Sequence, residues 1–181
     1  LKSIYLSTYK NFEIIVVDNA STDNSITSTK SLYPNINIAK SEYNLGYAGG
    51  CNFGEKEANG EFLFFLNNDT VIKSDCLEAL VNKLKSNKNI ASVQPKILNL
   101  KNKNYFDYAG GSGGFIDYLV FPFTRGRIFN TLEEDKKQYD DSKKIFWASG
   151  AGFLTRKNIF NKLFKFDESF FAHMEEIDYH W

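Results

Sequence analysis

Asp18 and Asp69 each follow an apolar run, the first after Glu13-Ile14-Ile15-Val16-Val17 and the second after Phe62-Leu63-Phe64-Phe65-Leu66-Asn67-Asn68. In open parallel sheets ligands bind outside the carboxyl ends of the strands, so both carboxylates are expected at one crevice. Capping of the following turn explains either acid taken alone, and that reading stays open. Asn67-Asn68-Asp69 is the sharper case, because a carboxylate beside amides offers hard oxygen ligands to Mg2+ or Mn2+ bridging two phosphates. Such a cation would stabilise a nucleoside diphosphate leaving group. Near the end, Glu175, Glu176 and Asp178 stand among Phe170, Phe171, Tyr179 and Trp181. An acid in that apolar setting has the raised pKa of a general base. Two other readings remain: a metal site of His173, Glu176 and His180 on one helical face, and a solvated acidic helix start.

These residues need a scaffold, and the patterning supplies one. The run 13–18 suits a strand buried on both faces of a parallel sheet. Asn19 to Ser25 then brings turn and cap residues for a helix through about Leu32, closed by Pro34, and a strand over Ile36 to Ala39 follows. Gly46, Gly49, Gly50 and Gly54 form a glycine-rich entry to a helix ending near Asn59-Gly60. They either let a phosphate or sugar approach the backbone or let the helix pack tightly on a strand. Phe62 to Leu66 is a second buried strand, Leu77, Leu80, Val81 and Leu84 mark a helix over about 74–86, and Ala91-Ser92-Val93 opens a further strand. This alternation implies an α/β fold, a mostly parallel sheet flanked by helices, over residues 1–98. Residues 99–144 turn glycine- and lysine-rich, with long mobile loops around short strands expected, and 145–181 is compact again. The halves 1–98 and 99–181 read as one domain.

Composition narrows the function classes. The 181 residues carry 22 basic and 22 acidic side chains, leaving no net field to draw in a nucleic acid. No apolar run approaches the ~20 residues that span a bilayer, and the first residues lack a signal-peptide core. Cys51 and Cys76 fit no zinc spacing and read as free, buried thiols of a reducing compartment. The location expected is cytoplasmic, the inner face of the membrane included.

The chain resembles the family 2 glycosyltransferases of GT-A (Rossmann-like) fold, especially the rhamnosyltransferase-like branch. The match runs in order through Tyr9 to Asp23, Asn44-Leu45-Gly46-Tyr47-Ala48-Gly49-Gly50, Leu66-Asn67-Asn68-Asp69-Thr70, Ala148-Ser149-Gly150-Ala151-Gly152 and Phe166 to Phe171 into Glu175-Glu176-Ile177-Asp178. The resemblance implies a donor site for a nucleotide-diphosphate sugar built from Asp18, Asn19, Ser21, Asn44, Gly46, Gly49, Asn67 and Asn68. Asn67-Asn68-Asp69 stands at the family's DXD position with its first acid replaced, which leaves the Mn2+ or Mg2+ contact to Asp69. Glu175-Glu176 falls on the family's Glu-Asp motif, making Glu176 the base, with Glu175 and Asp178 as alternatives. Trp147, Gly150 and Ala151 are similar to the segment lining the sugar and acceptor pocket, and Arg125-Gly126-Arg127 and Asp140-Asp141 fall where this branch has a mobile loop, from which Arg125 or Arg127 is expected to contact a phosphate.

The implied reaction is inverting transfer to a hydroxyl of a saccharide or lipid-linked saccharide, in cell-surface polysaccharide synthesis. The resemblance also implies a hydrophobic strand ahead of residue 1, between the strands ending at Asp18 and Asp69, and further helices after Trp181. On that reading the chain is a fragment, less stable than a complete domain and weak in donor affinity. Other classes stay in view: a nucleotide-sugar-binding module without catalysis, a sugar nucleotidyltransferase, and an interaction domain using the aromatics around 115–123.

Overall fold

The computed structural model describes all residues, 1–181. A short helix α1 (Lys2–Tyr5) precedes β1 (Ile15–Asn19), which pairs in parallel with β2 (Asn37–Ser41), Asp18 opposite Lys40. The crossover between them carries α2 (Ser25–Leu32), as parallel pairing requires. β1 departs from the expected strand buried on both faces, since Ile15, Val16 and Val17 are only half-buried. The reason is its surroundings: β1 has β2 as its one strand neighbour, and α2 buries no residue at all.

α3 (Gly46–Glu55) contains four glycines in ten residues, a composition with little helical propensity of its own. Packing holds it instead. A Cβ on Gly54 would lie 2.5 Å from Val17 Cγ2, so the bare backbone lets α3 lie directly on β1. At the far end of α3, Glu55 is buried and accepts hydrogen bonds from Lys165 and, at 3.1 Å, Asn161, with Lys157 Nζ at 3.5 Å.

The strand expected at Phe62 to Leu66 is β3 (Phe62–Leu66), and the Leu77, Leu80, Val81 and Leu84 stripe is the buried face of α4 (Cys76–Ser86). After β4 (Ser92–Val93) come two hairpins, β5 (Gly114–Ile116) with β6 (Pro122–Thr124) and β7 (Arg127–Ile128) with β8 (Thr131–Leu132). Ion pairs pin this region: Lys96 to Asp135 at 3.0 Å and to Asp140, and Arg125 to Asp141 at 3.0 Å.

β9 (Gly152–Arg156) changes the topology. It runs antiparallel between β3 and β4, Phe65 opposite Phe153 and Val93 opposite Leu154, so the sheet order is β3-β9-β4. The structure therefore has one parallel pair and a separate antiparallel sheet, and no ladder joins β1 to β3, where the resemblance implies a further strand. β9 is buried from Gly152 through Thr155, and its alternation serves two cores. Phe153 packs with Leu63, Phe65, Phe160, Phe166 and Tyr179, while Leu154 packs with the apolar face of α4. The chain ends in α5 (Lys157–Lys162), a 3-10 turn (Glu168–Phe170) and α6 (Glu175–His180). No helix is long and apolar enough to cross a membrane.

Candidate active site

The end of β1 is built around Asp18 and Asn19. Asp18 is buried, and its Oδ1 accepts the Ser21 amide at 2.9 Å, closing the turn that carries Ala20 at φ +60°. The capping expected of this carboxylate is thus present. Asn19 ties the strand to α3: its Nδ2 donates to Asn44 Oδ1 at 3.0 Å and Gly46 O at 2.9 Å, and its Oδ1 accepts the Leu45 amide at 2.8 Å. Asn44 Oδ1 in turn accepts from Gly46 N at 2.9 Å, and Phe171 O accepts from Ala48 N at 3.2 Å. The Gly46 and Ala48 amides at the start of α3 are therefore occupied by protein groups, and Gly54 serves the packing of α3 on β1. Gly46 is required there, since it has φ +70° and a Cβ would lie 2.3 Å from Phe171 O.

At the end of β3, Asn67 N donates to Ala151 O at 3.2 Å, extending the β3–β9 ladder by one step. Asn67 O accepts from Thr70 N and, at 2.7 Å, from Thr70 Oγ1. This turn leaves Asn68 and Asp69 exposed at its corner. No group of three His, Cys, Asp or Glu side chains is placed to hold a metal, which removes the His173, Glu176 and His180 alternative. His180 uses Nδ1 on Glu176 O at 2.6 Å, and burial pushes its imidazole down to about 4. Asp69 alone is an exposed carboxylate, a donor set that fits a cation completing its shell with phosphate oxygens and water.

The start of α6 lies on the other side of Ala151. Burial, then the neighbouring Glu175 charge, raises the Glu176 carboxyl above the usual range, partly offset by hydrogen bonds that include the Gly150 amide. Glu175 is buried, and Glu175 Oε2, Glu176 Oε2 and His180 Nε2 are buried without a partner. Unsatisfied buried carboxylate oxygens are costly, and they concentrate where chemistry is done. Asp178 is exposed. The elements meet at Gly150 and Ala151: Ala151 O accepts from Asn67 N at 3.2 Å, Gly150 O accepts from Tyr47 Oη at 2.5 Å, and the Gly150 backbone acts to lower the Glu176 carboxyl.

Three further candidates take these places. Trp147 is buried, donates to Phe115 O at 3.0 Å and forms the seat on which Gly114 rests. Arg125 is occupied by Asp141 and, through Nε, by Ser112 O at 2.8 Å, which leaves its guanidinium in a structural tie. Arg127 lies 4.0 Å over the Tyr108 ring. The residues that sequence reasoning passed over are Tyr47, which lay inside a quoted motif without a role, and Gln94, whose Oε1 accepts the Ser149 amide at 2.7 Å and steadies the approach to Gly150.

The chain is 22% identical over 192 residues to an N-acetylglucosaminyl-diphospho-decaprenol L-rhamnosyltransferase of Mycobacterium tuberculosis, covering 98% of this chain and 62% of the relative. It is 28% identical over 188 residues to a GalNAc(5)-diNAcBac-PP-undecaprenol beta-1,3-glucosyltransferase of Campylobacter jejuni, covering 96% of this chain and 56% of that relative. The chain thus spans less than two thirds of the length of either. The solved mannosyltransferase PcManGT from Pyrobaculum calidifontis, in complex with GDP-Man and Mn2+, superposes with a TM-score of 0.64 at 16% identity, over 98% of this chain and 45% of that one. That likeness establishes the fold as GT-A. A family model described as glycosyl transferase family 2 matches residues 1–164, and the chain belongs to that family.

Proposed function

We propose that this chain carries the donor and base residues of an inverting transferase that moves a sugar from a nucleotide-diphosphate sugar to an acceptor hydroxyl, in cell-surface polysaccharide synthesis. The observation that carries the proposal is Glu176, a half-buried acid with an unpartnered oxygen whose carboxyl is raised by burial and by Glu175, beside the 150–151 segment that bonds to the turn presenting the exposed Asp69. Asp18, Asn19 and Ser21, with Asn44, Gly46 and Gly49, form the nucleotide side of the site. Asn67 and Asn68 shape the turn that presents Asp69, and Gly150 and Ala151 border the sugar and acceptor side.

Glu176 accepts the proton of the acceptor hydroxyl as that oxygen bonds to the anomeric carbon and the bond from that carbon to the diphosphate breaks. Its surroundings favour the protonated product state, which places its working pH above that of an ordinary carboxylate. Glu175 holds no protein partner on Oε2 either and raises Glu176 further by its charge. Asp69 would hold Mn2+ or Mg2+, which when bound neutralises charge building on the diphosphate. The acceptor class proposed is a lipid-linked saccharide, supported by the two relatives, named for diphospho-decaprenol- and PP-undecaprenol-linked saccharides.

A thermal-shift screen of UDP-, dTDP- and GDP-sugars with and without Mn2+, followed by transfer assays, tests this. Asp69→Ala is expected to lose the metal-dependent shift with its melting temperature unchanged, since the side chain is exposed. Glu176→Gln is expected to keep the shift and lose transfer. Donor shifts with no transfer to any acceptor would favour a binding module, and unchanged turnover in Glu176→Gln would remove the base assignment.

A further inference from the structure

The hairpins beyond Gly114 carry an apolar surface that sugar transfer does not use. β5 and β6 are joined through Asp117-Tyr118-Leu119-Val120-Phe121, and the four residues after Asp117 are all exposed, Tyr118 by 91%. The tip is closed by its own bonds. Asp117 N donates to Phe121 O, Val120 N donates to Asp117 O, and Leu119 N and Phe121 N both donate to Asp117 Oδ1, at 2.8 and 2.9 Å. Val120 has φ +70°, a left-handed conformation that a β-branched residue adopts only under strain and that Gly or Asn holds at lower energy. The pattern recurs in the turn between β7 and β8, where Phe129 has φ +51° and is 90% exposed beside exposed Ile128. Two nearby turns thus hold large apolar side chains at solvent-facing corners where small polar residues would be better tolerated. Neither side chain contributes to either core.

The charges around these tips indicate the occupant. Lys143 Nζ lies 5.9 Å from the Phe115 ring, which stacks on exposed Phe123 at 5.6 Å, and Arg127 covers exposed Tyr108. Lys143, Lys144 and Arg127 take part in no ion pair. Between Phe115 and Leu132 Asp117 is the one acid, and its Oδ1 is occupied by the turn. Unpaired cations on the aromatics of the same hairpin region, with the apolar tips beyond them, match an anionic headgroup layer over hydrocarbon. Amides already bonded within the turn leave few donors to strand when the tip leaves water. A protein partner would be met by a broad apolar face with a polar rim, whereas these are two narrow turns with basic neighbours.

We propose that the Tyr118–Phe121 tip, with Ile128-Phe129 and the cations Arg127, Lys143 and Lys144, docks the protein onto an anionic lipid bilayer. Docking itself does not depend on the transferase reading. With that reading, it holds the site beside the layer in which a lipid-linked acceptor is embedded.

The test is co-sedimentation with vesicles of phosphatidylcholine alone and of phosphatidylcholine with phosphatidylglycerol, which reads no sugar transfer and so fails or succeeds apart from the proposed activity. The protein is expected to partition at least tenfold more strongly onto the anionic vesicles and to be released by salt. The pair Tyr118→Ser and Phe121→Ser is expected to lower partitioning at least tenfold with an unchanged melting temperature, and Lys143→Gln with Lys144→Gln to remove most of the preference for anionic lipid. Leu32→Ser, an exposed apolar position on α2, is expected to change nothing. Absence of vesicle binding, binding insensitive to the tip substitutions, or a concentration-dependent dimer without lipid that those substitutions abolish would each overturn the proposal, the last by assigning the tips to a second copy of the chain.

Discussion

Replacing Glu55 by Gln isolates a buried charge that holds three elements together. The carboxylate is 4% exposed and stands between Lys165, Lys157 and Asn161, so it joins the end of α3 to α5 and to the segment after it. Breaking one side of a fully buried ion pair costs about 3–5 kcal/mol. Here the two lysine side chains are 27% and 29% exposed and can regain water, and the amide keeps an acceptor for Asn161, which lowers the expected cost to ~2 kcal/mol. At roughly 2–4 °C per kcal/mol for a domain of this size, Glu55→Gln should melt ~4–8 °C below wild type at pH 7. The penalty must also depend on pH. Burial acts to raise this carboxyl, but the Lys165 and Asn161 hydrogen bonds and the lysine charges bring it below the usual carboxylate range. A lowered folded-state pKa gives stability that is fully present above the unfolded value and lost as pH falls through the folded one. Urea unfolding of both proteins from pH 7 downward should show the two stabilities converging below the ordinary carboxylate range. A difference under ~0.5 kcal/mol at pH 7, or one that does not change with pH, would refute the reasoning.

Glu176→Gln should have the opposite pH signature. A folded-state pKa raised by burial and by Glu175 penalises the charged form, so the substitution should raise the melting temperature, by more at pH 8 than at pH 5, while transfer is lost. Tyr47→Phe leaves the buried Gly150 carbonyl without the Tyr47 hydroxyl, which should cost about 1–3 kcal/mol in chemical unfolding and slow transfer more than it weakens donor binding. Gly46→Ala should cost at least ~1 kcal/mol from the left-handed backbone alone and displace Phe171, readable as faster proteolysis of the 168–174 segment.

What the sequence disclosed follows from how local each signal is. β1, α2, β3 and α4 are continuous apolar runs or helical stripes bounded by caps and Pro34, and each formed within a few residues of its expected place. β9 escaped because its five residues begin at glycine and carry no longer pattern, and its two ladders pair segments far apart in the chain. The gap between β1 and β3 is where the family resemblance places a further strand, so the motifs disclosed it although composition did not. Among the site residues, acids at strand and helix ends were legible by type and position. The role of Tyr47 was not, because a tyrosine in a glycine-rich helix acquires its meaning only from a carbonyl more than a hundred positions away.

β9 also constrains the order of events when the chain is made. β3 leaves the ribosome as Phe-Leu-Phe-Phe-Leu, and its antiparallel partner is synthesised some ninety residues later. Through that interval the edge of β3 and that of β4 both lack the strand that will lie between them. Non-local pairing of this kind slows folding and exposes adhesive edges while it lasts. Nascent chains halted between β4 and β9 should therefore be the species that chaperones hold and that aggregates first, and the arrival of residues 152–156 should mark the step at which protease resistance appears.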